Sequence, residues 1–158
     1  MRHRLTRRLP YAPEALFDLV GDVEAYPQFV PWIDDLRAWN RRQDGEGVIT
    51  LDAEAEVKFA VIRERFATRV RLDRPRLVIE VGLLSGPFRR LENRWRFEPA
   101  PAGGTALTFD IDFEFRSHLL DRLLAANFER AAFRLVNCFE RRADQLYGED
   151  GWKRPIGS

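Results

Sequence analysis

A chain of 158 residues with 45% hydrophobic side chains has the size of one domain and enough apolar material for a real core, which argues against a two-domain protein. Its 26 basic and 25 acidic side chains leave a net charge of +1, so bulk charge gives no attraction to DNA or to an anionic membrane. The single cysteine rules out an internal disulfide and suits a reducing compartment, and no apolar run approaches the ~18 residues of a membrane span or the core of a signal peptide; the expected location is therefore the cytoplasm.

Residues 2 to 9 alternate, with His3, Leu5, Arg7 and Leu9 opposite Arg2, Arg4, Thr6 and Arg8, the pattern of a strand of weak contrast at a sheet edge. Pro13 opens a helix whose apolar side is Ala15, Leu16, Leu19, Val20 and Val23, ending near Glu24. The segment YPQFVPW (26 to 32) follows, broken by Pro27 and Pro31 yet dense in aromatic rings; loops run over surfaces, so these rings are expected to cover something.

From 33 onward strand follows strand. Ile33 to Arg42 is closed by a turn at 44 to 47. In the next, Ile49, Leu51, Ala53, Ala55, Val57, Phe59 and Val61 face inward against Thr50, Asp52, Glu54, Glu56 and Lys58 facing water, and the two small alanines leave space in the inward row. Phe66, Val70 and Leu72 oppose Arg65, Arg69 and Arg71. Leu77 to Leu84 is apolar on both faces except at Glu80. After the turn SGPF, Leu91, Asn93, Trp95 and Phe97 oppose a charged row. The last strand points Leu107, Phe109, Ile111, Phe113 and Phe115 inward. A single long helix is expected from His118 to Tyr147, with Leu120, Leu124, Phe128, Ala131, Leu135, Phe139 and Leu146 as its apolar stripe and Gly148 as its stop. Residues 149 to 158 lack periodicity and are expected to be a disordered tail.

One helix cannot cover such a sheet. A rod ~10 Å wide meets about six or seven strands that span roughly 30 Å. The sheet must curl around the helix, either packed solid or around an apolar hollow.

Catalytic chemistry is hard to find. His3 and His118 lack partners at metal-ligand spacing, and there is no nucleophile elbow, phosphate loop or dinucleotide fingerprint. The chain reads as neither an enzyme nor a metalloprotein. Cys138 reads as a small buried hydrophobe. Asn93 stands out, because an amide among Leu91, Trp95 and Phe97 must find a neighbour or serve as a polar handle for a ligand; Thr68 is a weaker candidate of the same kind.

The order strand, helix, short helix, six strands, long helix, together with YPQFVPW, ERF (64 to 66), GPFRRLENRWRF (86 to 97), FDIDFEFRSHLLD (109 to 121) and LYG (146 to 148), resembles the coenzyme Q-binding branch of the START-domain superfamily, the polyketide cyclase/dehydrase and lipid transport superfamily. The resemblance covers residues 1 to 148 as one domain. It implies an α+β helix-grip fold, like that of START and Bet v-type proteins, in which a curved antiparallel sheet of six to seven strands wraps a long C-terminal helix around a lipid-sized cavity.

It also implies a non-catalytic chaperone for ubiquinone or a related polyprenyl lipid, serving respiratory electron transport or quinone synthesis. Ubiquinone would be bound cargo, with no other cofactor, and the chain could touch the inner membrane peripherally. The expected lining is Phe59, Phe66, Asn93, Trp95, Phe109, Phe113, Leu124 and Phe128, with Phe29, Val30, Trp32 and Phe88 at the mouth. Two alternatives remain. Relatives of this branch are ribosome-associated toxins, of toxin-antitoxin type, that block subunit joining; that role needs an arginine face, for which Arg63, Arg65, Arg69, Arg71, Arg90, Arg94 and Arg96 are the candidates, diluted by interleaved acids. Aromatase/cyclase enzymes share the superfamily but would need more polar groups inside than Asn93 and Thr68. Leu84 and Phe133, off the main faces, are candidate contact points.

Overall fold

The structure, a computed structural model, describes residues 1–59, 62–125 and 127–148, with the side chains at 59 and 125 outside that description. Seven strands form one curved antiparallel sheet: β1 (Arg2–Leu9), β2 (Ile33–Gln43), β3 (Val48–Phe59), β4 (Ile62–Asp73), β5 (Val78–Ser85), β6 (Phe88–Pro99) and β7 (Thr105–Phe115). Their spatial order is β1-β7-β6-β5-β4-β3-β2. From β2 to β7 each strand pairs with its sequence neighbour. Only β1 is carried to the far edge, because α1 (Pro13–Gly21) and a 3-10 helix (Val23–Gln28) take the chain across the concave side before β2 begins.

The strand faces follow the alternation. On β7 Leu107, Phe109, Phe113 and Phe115 are buried, and on β6 Leu91, Trp95 and Phe97 are. Gly86, in the turn before β6, has φ +143, and a Cβ there would lie 2.4 Å from the Phe66 Cβ, so only glycine lets this turn close on β4. Two expectations for the strands need correction. Thr50 and Asp52, assigned to water, are buried at 5% exposure. Asp52 accepts hydrogen bonds from Arg69 Nε (2.9 Å) and Asn40 Nδ2 (3.0 Å), and these two side chains reach over it from the neighbouring strands.

The helices differ more. The first helix stops at Gly21, and Tyr26 and Pro27 lie within the 3-10 helix. The expected single C-terminal helix is two: α2 (His118–Ala125) and α3 (Phe128–Tyr147), the second capped by Asn127 in a non-helical conformation. The buried stripe of α3 is Ala132, Val136, Phe139 and Ala143, not the stripe through Ala131, Leu135 and Leu146. Leu146 is 40% exposed. The apolar residues of α3 lie on several faces, and the sheet selects the one whose small residues let the helix approach closely. The tail from 149, and Val61, lie outside the described residues.

Candidate functional site

Side chains on the concave face form two clusters. The larger is closed by α1, the 3-10 helix and α3 and contains Leu16, Phe17, Val20, Leu51, Ile79, Trp95, Phe97, Phe109, Val136 and Phe139. Phe139 is its hub, with ring centroids 5.1 Å from Tyr26, 5.2 Å from Phe29 and 5.1 Å from Trp95. The smaller is built on Phe88, Leu91, Phe113 and Phe115 and roofed by Leu120 and Leu124 of α2 and by Phe128 of α3. Here Phe88 stacks on Phe115 at 4.7 Å and meets Phe66 edge-on at 5.3 Å, while Phe128 lies 4.3 Å from Phe113. Every roof residue remains only partly buried.

Asn93 lies where the two clusters meet. Its neighbours along β6 are Leu91 of the small cluster and Trp95 of the large one; across the strands it faces Val81 and Ile111, both partly buried. Its Oδ1 is buried and accepts no hydrogen bond among the described residues. The bond to a neighbour that would excuse an amide in this place is missing, and a buried acceptor left so costs about 1–3 kcal/mol. Thr68 is buried at 7% exposure one strand further along.

The expected site residues therefore divide. Phe66, Phe88, Phe113, Leu124 and Phe128 come together in the small cluster; Trp95 and Phe109, with centroids 4.2 Å apart, belong to the large one; Asn93 joins the two. Phe59 falls among the side chains outside the description. The mouth is not one group. Val30, expected there, is fully buried at 0% because the 3-10 turn directs it inward, its backbone N–H donating to the Tyr26 carbonyl at 2.8 Å. Phe29 and Trp32 lie beneath α3 arginines, Arg142 at 5.5 Å and Arg134 at 5.7 Å from the respective ring centroids. Phe88 is 8% exposed inside the small cluster. Leu91, Phe115 and Leu120 belong to that cluster although they were not singled out; the parity of Phe115 with Phe113 and the helical spacing of Leu120 to Leu124 are the signals that would have found them.

Among the described residues no three His, Cys, Asp or Glu side chains gather as a metal site. Burial raises the Cys138 thiol pKa and holds the Tyr26 hydroxyl well above its ordinary value, that hydroxyl donating to the Val20 carbonyl. A surface recess of about 520 Å³ lies beside α2, and one of about 300 Å³ lies between α1 and the β4 end, lined in part by Phe17 and Leu72 of the large cluster.

The convex face is electrically compensated. Arg65 pairs with Glu56 (2.6 Å), Arg71 with Asp44 (2.6 Å), Arg90 with Glu114 (2.7 Å), Arg94 with Glu80 (2.6 Å), Arg69 with Asp52 (2.9 Å) and Arg63 with Asp34 (3.8 Å). Exposed pairs of this kind contribute little each, ~0–1 kcal/mol, but together they offset six of the seven candidate arginines; the seventh, Arg96, has no carboxylate partner among the described residues, and its Nε is buried without a hydrogen bond. On the outer side of α3, Arg130 and Arg141 also have no carboxylate partner among the described residues.

Comparison with known proteins gives a consistent kinship. A profile described as polyketide cyclase / dehydrase and lipid transport matches residues 9–140. The chain is 37% identical over 140 residues to the ribosome association toxin RatA of Pseudomonas aeruginosa, covering 89% of this chain and 93% of that one. It is 33% identical over 146 residues to the coenzyme Q-binding protein COQ10 homolog B, mitochondrial, of Xenopus laevis, covering 89% of this chain and 57% of that one. Among solved structures, the 18 kDa protein CC1736 of Caulobacter crescentus shares 56% identity with a TM-score of 0.80, covering 94% of this chain and 99% of that one. The Zhui aromatase/cyclase of a Streptomyces strain shares the fold alone, at 20% identity and a TM-score of 0.75, covering 92% and 94%.

Proposed function

The chain belongs to the polyketide cyclase / dehydrase and lipid transport family, and we propose that it is a non-catalytic binding protein for a lipid with a polar ring, of the ubiquinone class. One observation carries this reading: the buried, unpartnered Oδ1 of Asn93 between two aromatic clusters. An apolar guest with no polar atom would leave that oxygen as costly as before. A ring hydroxyl, as in a quinol or a prenylated phenol, donates to it, and the Nδ2 of the same amide can donate to a quinone carbonyl. The tail would lie against Phe66, Phe113, Leu124 and Phe128. At about 0.8 kcal/mol per buried methylene, ten carbons give roughly 8 kcal/mol before the losses of association, and since micromolar binding needs about 8 kcal/mol net, a longer buried tail and the hydrogen bonds at Asn93 must supply the rest.

The name of the COQ10 relative supports this ligand class. Organic extraction of the chain purified from its native host, followed by mass spectrometry, is expected to return a polyprenyl quinone or quinol at near one per chain. An extract without prenyl lipid overturns the reading.

A second reading, contact with a ribosomal subunit, is favoured by the RatA relatives and by the unpaired arginines of α3. It assigns no role to the compensated convex face. Co-sedimentation with ribosomal subunits that is lost on R130E/R141E would favour it.

A further inference from the structure

Helix α2 turns two pairs of leucines in directions about 100° apart. Leu120 and Leu124 pack down onto the Phe88–Phe113–Phe115 cluster, while Leu119 and Leu123, one turn apart, stand out at 65% and 51% exposure. Leu119 is the most exposed large hydrophobic side chain among the described residues. Among the described residues nothing covers the exposed half or more of each side chain, and large apolar side chains exposed side by side mark a surface that another phase or partner covers.

The charge around the pair says which. Arg122 lies within α2, Arg116 just before it, and Arg89 at the start of β6, brought alongside because the Arg116 backbone N–H donates to the Pro87 carbonyl at 2.8 Å. All three arginines are exposed, and none has a carboxylate partner among the described residues. Their neighbour Arg90 is paired with Asp112 and Glu114. Asp121, the acid of α2, has its carboxylate taken by the Phe115 backbone N–H at 3.0 Å. The local excess is positive and sits at the rim of an apolar knob, although the chain as a whole carries only +1. The recess of about 520 Å³ lined by Arg90, Glu114, His118, Asp121 and Arg122 opens beside it.

Leucines that enter the acyl boundary, ringed by arginines at the level of anionic headgroups, are the chemistry of a bilayer surface. An RNA backbone would use the arginines and leave the leucines in water. We propose that Leu119 and Leu123, with Arg89, Arg116 and Arg122, dock the protein on an anionic lipid bilayer, and that α2, the roof of the small cluster, is the side through which the guest enters. The second half rests on the ligand reading above.

The test is sedimentation of the full chain with phosphatidylcholine–phosphatidylglycerol vesicles and with phosphatidylcholine vesicles. The chain is expected to partition onto the anionic vesicles, more weakly onto the neutral ones, and to be released as salt rises. L119S/L123S is expected to lower the partition at least about tenfold. R116Q/R122Q is expected to remove the preference for anionic lipid. Because these side chains are exposed, both variants should melt within a few degrees of the parent, which separates lost docking from lost folding. Equal partition of the parent and L119S/L123S would overturn the proposal, as would arginine-dependent binding to ribosomal subunits without any vesicle binding. A prenyl lipid in the parent's extract with no vesicle binding would overturn the docking face and leave the ligand reading standing. Vesicle binding with an empty extract would support the docking face and remove the ligand reading.

Discussion

The two apolar clusters beneath the sheet are both built of apolar side chains, the large one mainly aliphatic and the small one mainly phenylalanine, and their closures are very different. The large one is sealed by a 20-residue helix whose Val136 is 0% exposed and whose Phe139 touches the rings of Tyr26, Phe29 and Trp95. The small one has buried walls, Phe88, Phe113 and Phe115, under a roof of partly buried side chains on the eight-residue α2 and the first turn of α3. A helix of two turns has no stability of its own in water and holds its shape only while docked. Composition thus tells where apolar material lies, and closure tells where the fold can be opened at low cost.

Substitutions sharpen that contrast. Phe139→Ala should have the largest effect, about 3–5 kcal/mol of stability by urea denaturation, because the cavity it leaves is walled by elements that cannot collapse. Phe128→Ala, at the roof, should cost no more than about 2 kcal/mol yet weaken ligand retention strongly; equal costs for the two would break the contrast. Asn93→Leu keeps the branch point and heavy-atom count of the side chain and removes the orphan acceptor, so the ligand-free chain should gain about 1 kcal/mol in the same measurement while prenyl-lipid affinity drops by about tenfold or more. A stability loss instead would mean that Asn93 has a structural partner.

Two smaller predictions concern the shell around the clusters. The Asp52 carboxyl is held below its ordinary value of 3.8 by the hydrogen bonds from Arg69 and Asn40. A depressed carboxylate contributes stability that is present above the ordinary value and lost as pH falls through the lowered one. Denaturation across pH should therefore show the parent exceeding Asp52→Asn by about 1 kcal/mol at neutral pH, with the gap closing in the acid range; Arg69 is half in water, which keeps the figure small. On the alkaline side, Tyr11 is pushed up to about 12 by burial and by its bond to Asp144, and burial also raises Tyr26 and Tyr147. With these as the chain's three tyrosines, absorbance titration of the folded protein should show every phenol ionising above its ordinary value, Tyr11 at about 12, and the stability each neutral phenol confers should be lost as pH rises through its raised value. A tyrosine titrating at its ordinary pKa would show a looser periphery than described.

The sheet was readable because period-two alternation is a strong signal: β1, β4, β6 and β7 occupy the expected residues, and Asn93 was identifiable as the one amide among inward apolar side chains. The interleaving of acids with the convex arginines was also readable, and the ion pairs follow it. Burial of Asp52 was not, because it depends on Arg69 and Asn40 reaching across strands. Nor was the interruption at Asn127, since AAN carries no proline or glycine and Leu120, Leu124, Phe128 and Ala131 keep helical spacing through it. The phase of α3 was misread for the same reason; Val136, the side chain it buries most fully, lies off the stripe that such continuous spacing suggests. Closure of the small cluster is a tertiary property, set by how far α2 reaches over Phe113.

The central claim, a guest held between Asn93 and the α2 roof, is tested most directly by mapping aromatic, methyl and side-chain amide resonances while a short-chain quinol is added. Shifts at Asn93, Phe66, Phe113, Leu124 and Phe128, with Phe17 and Phe97 of the large cluster unmoved, are the predicted result. Shifts confined to the large cluster, or none at saturating quinol, would contradict the account.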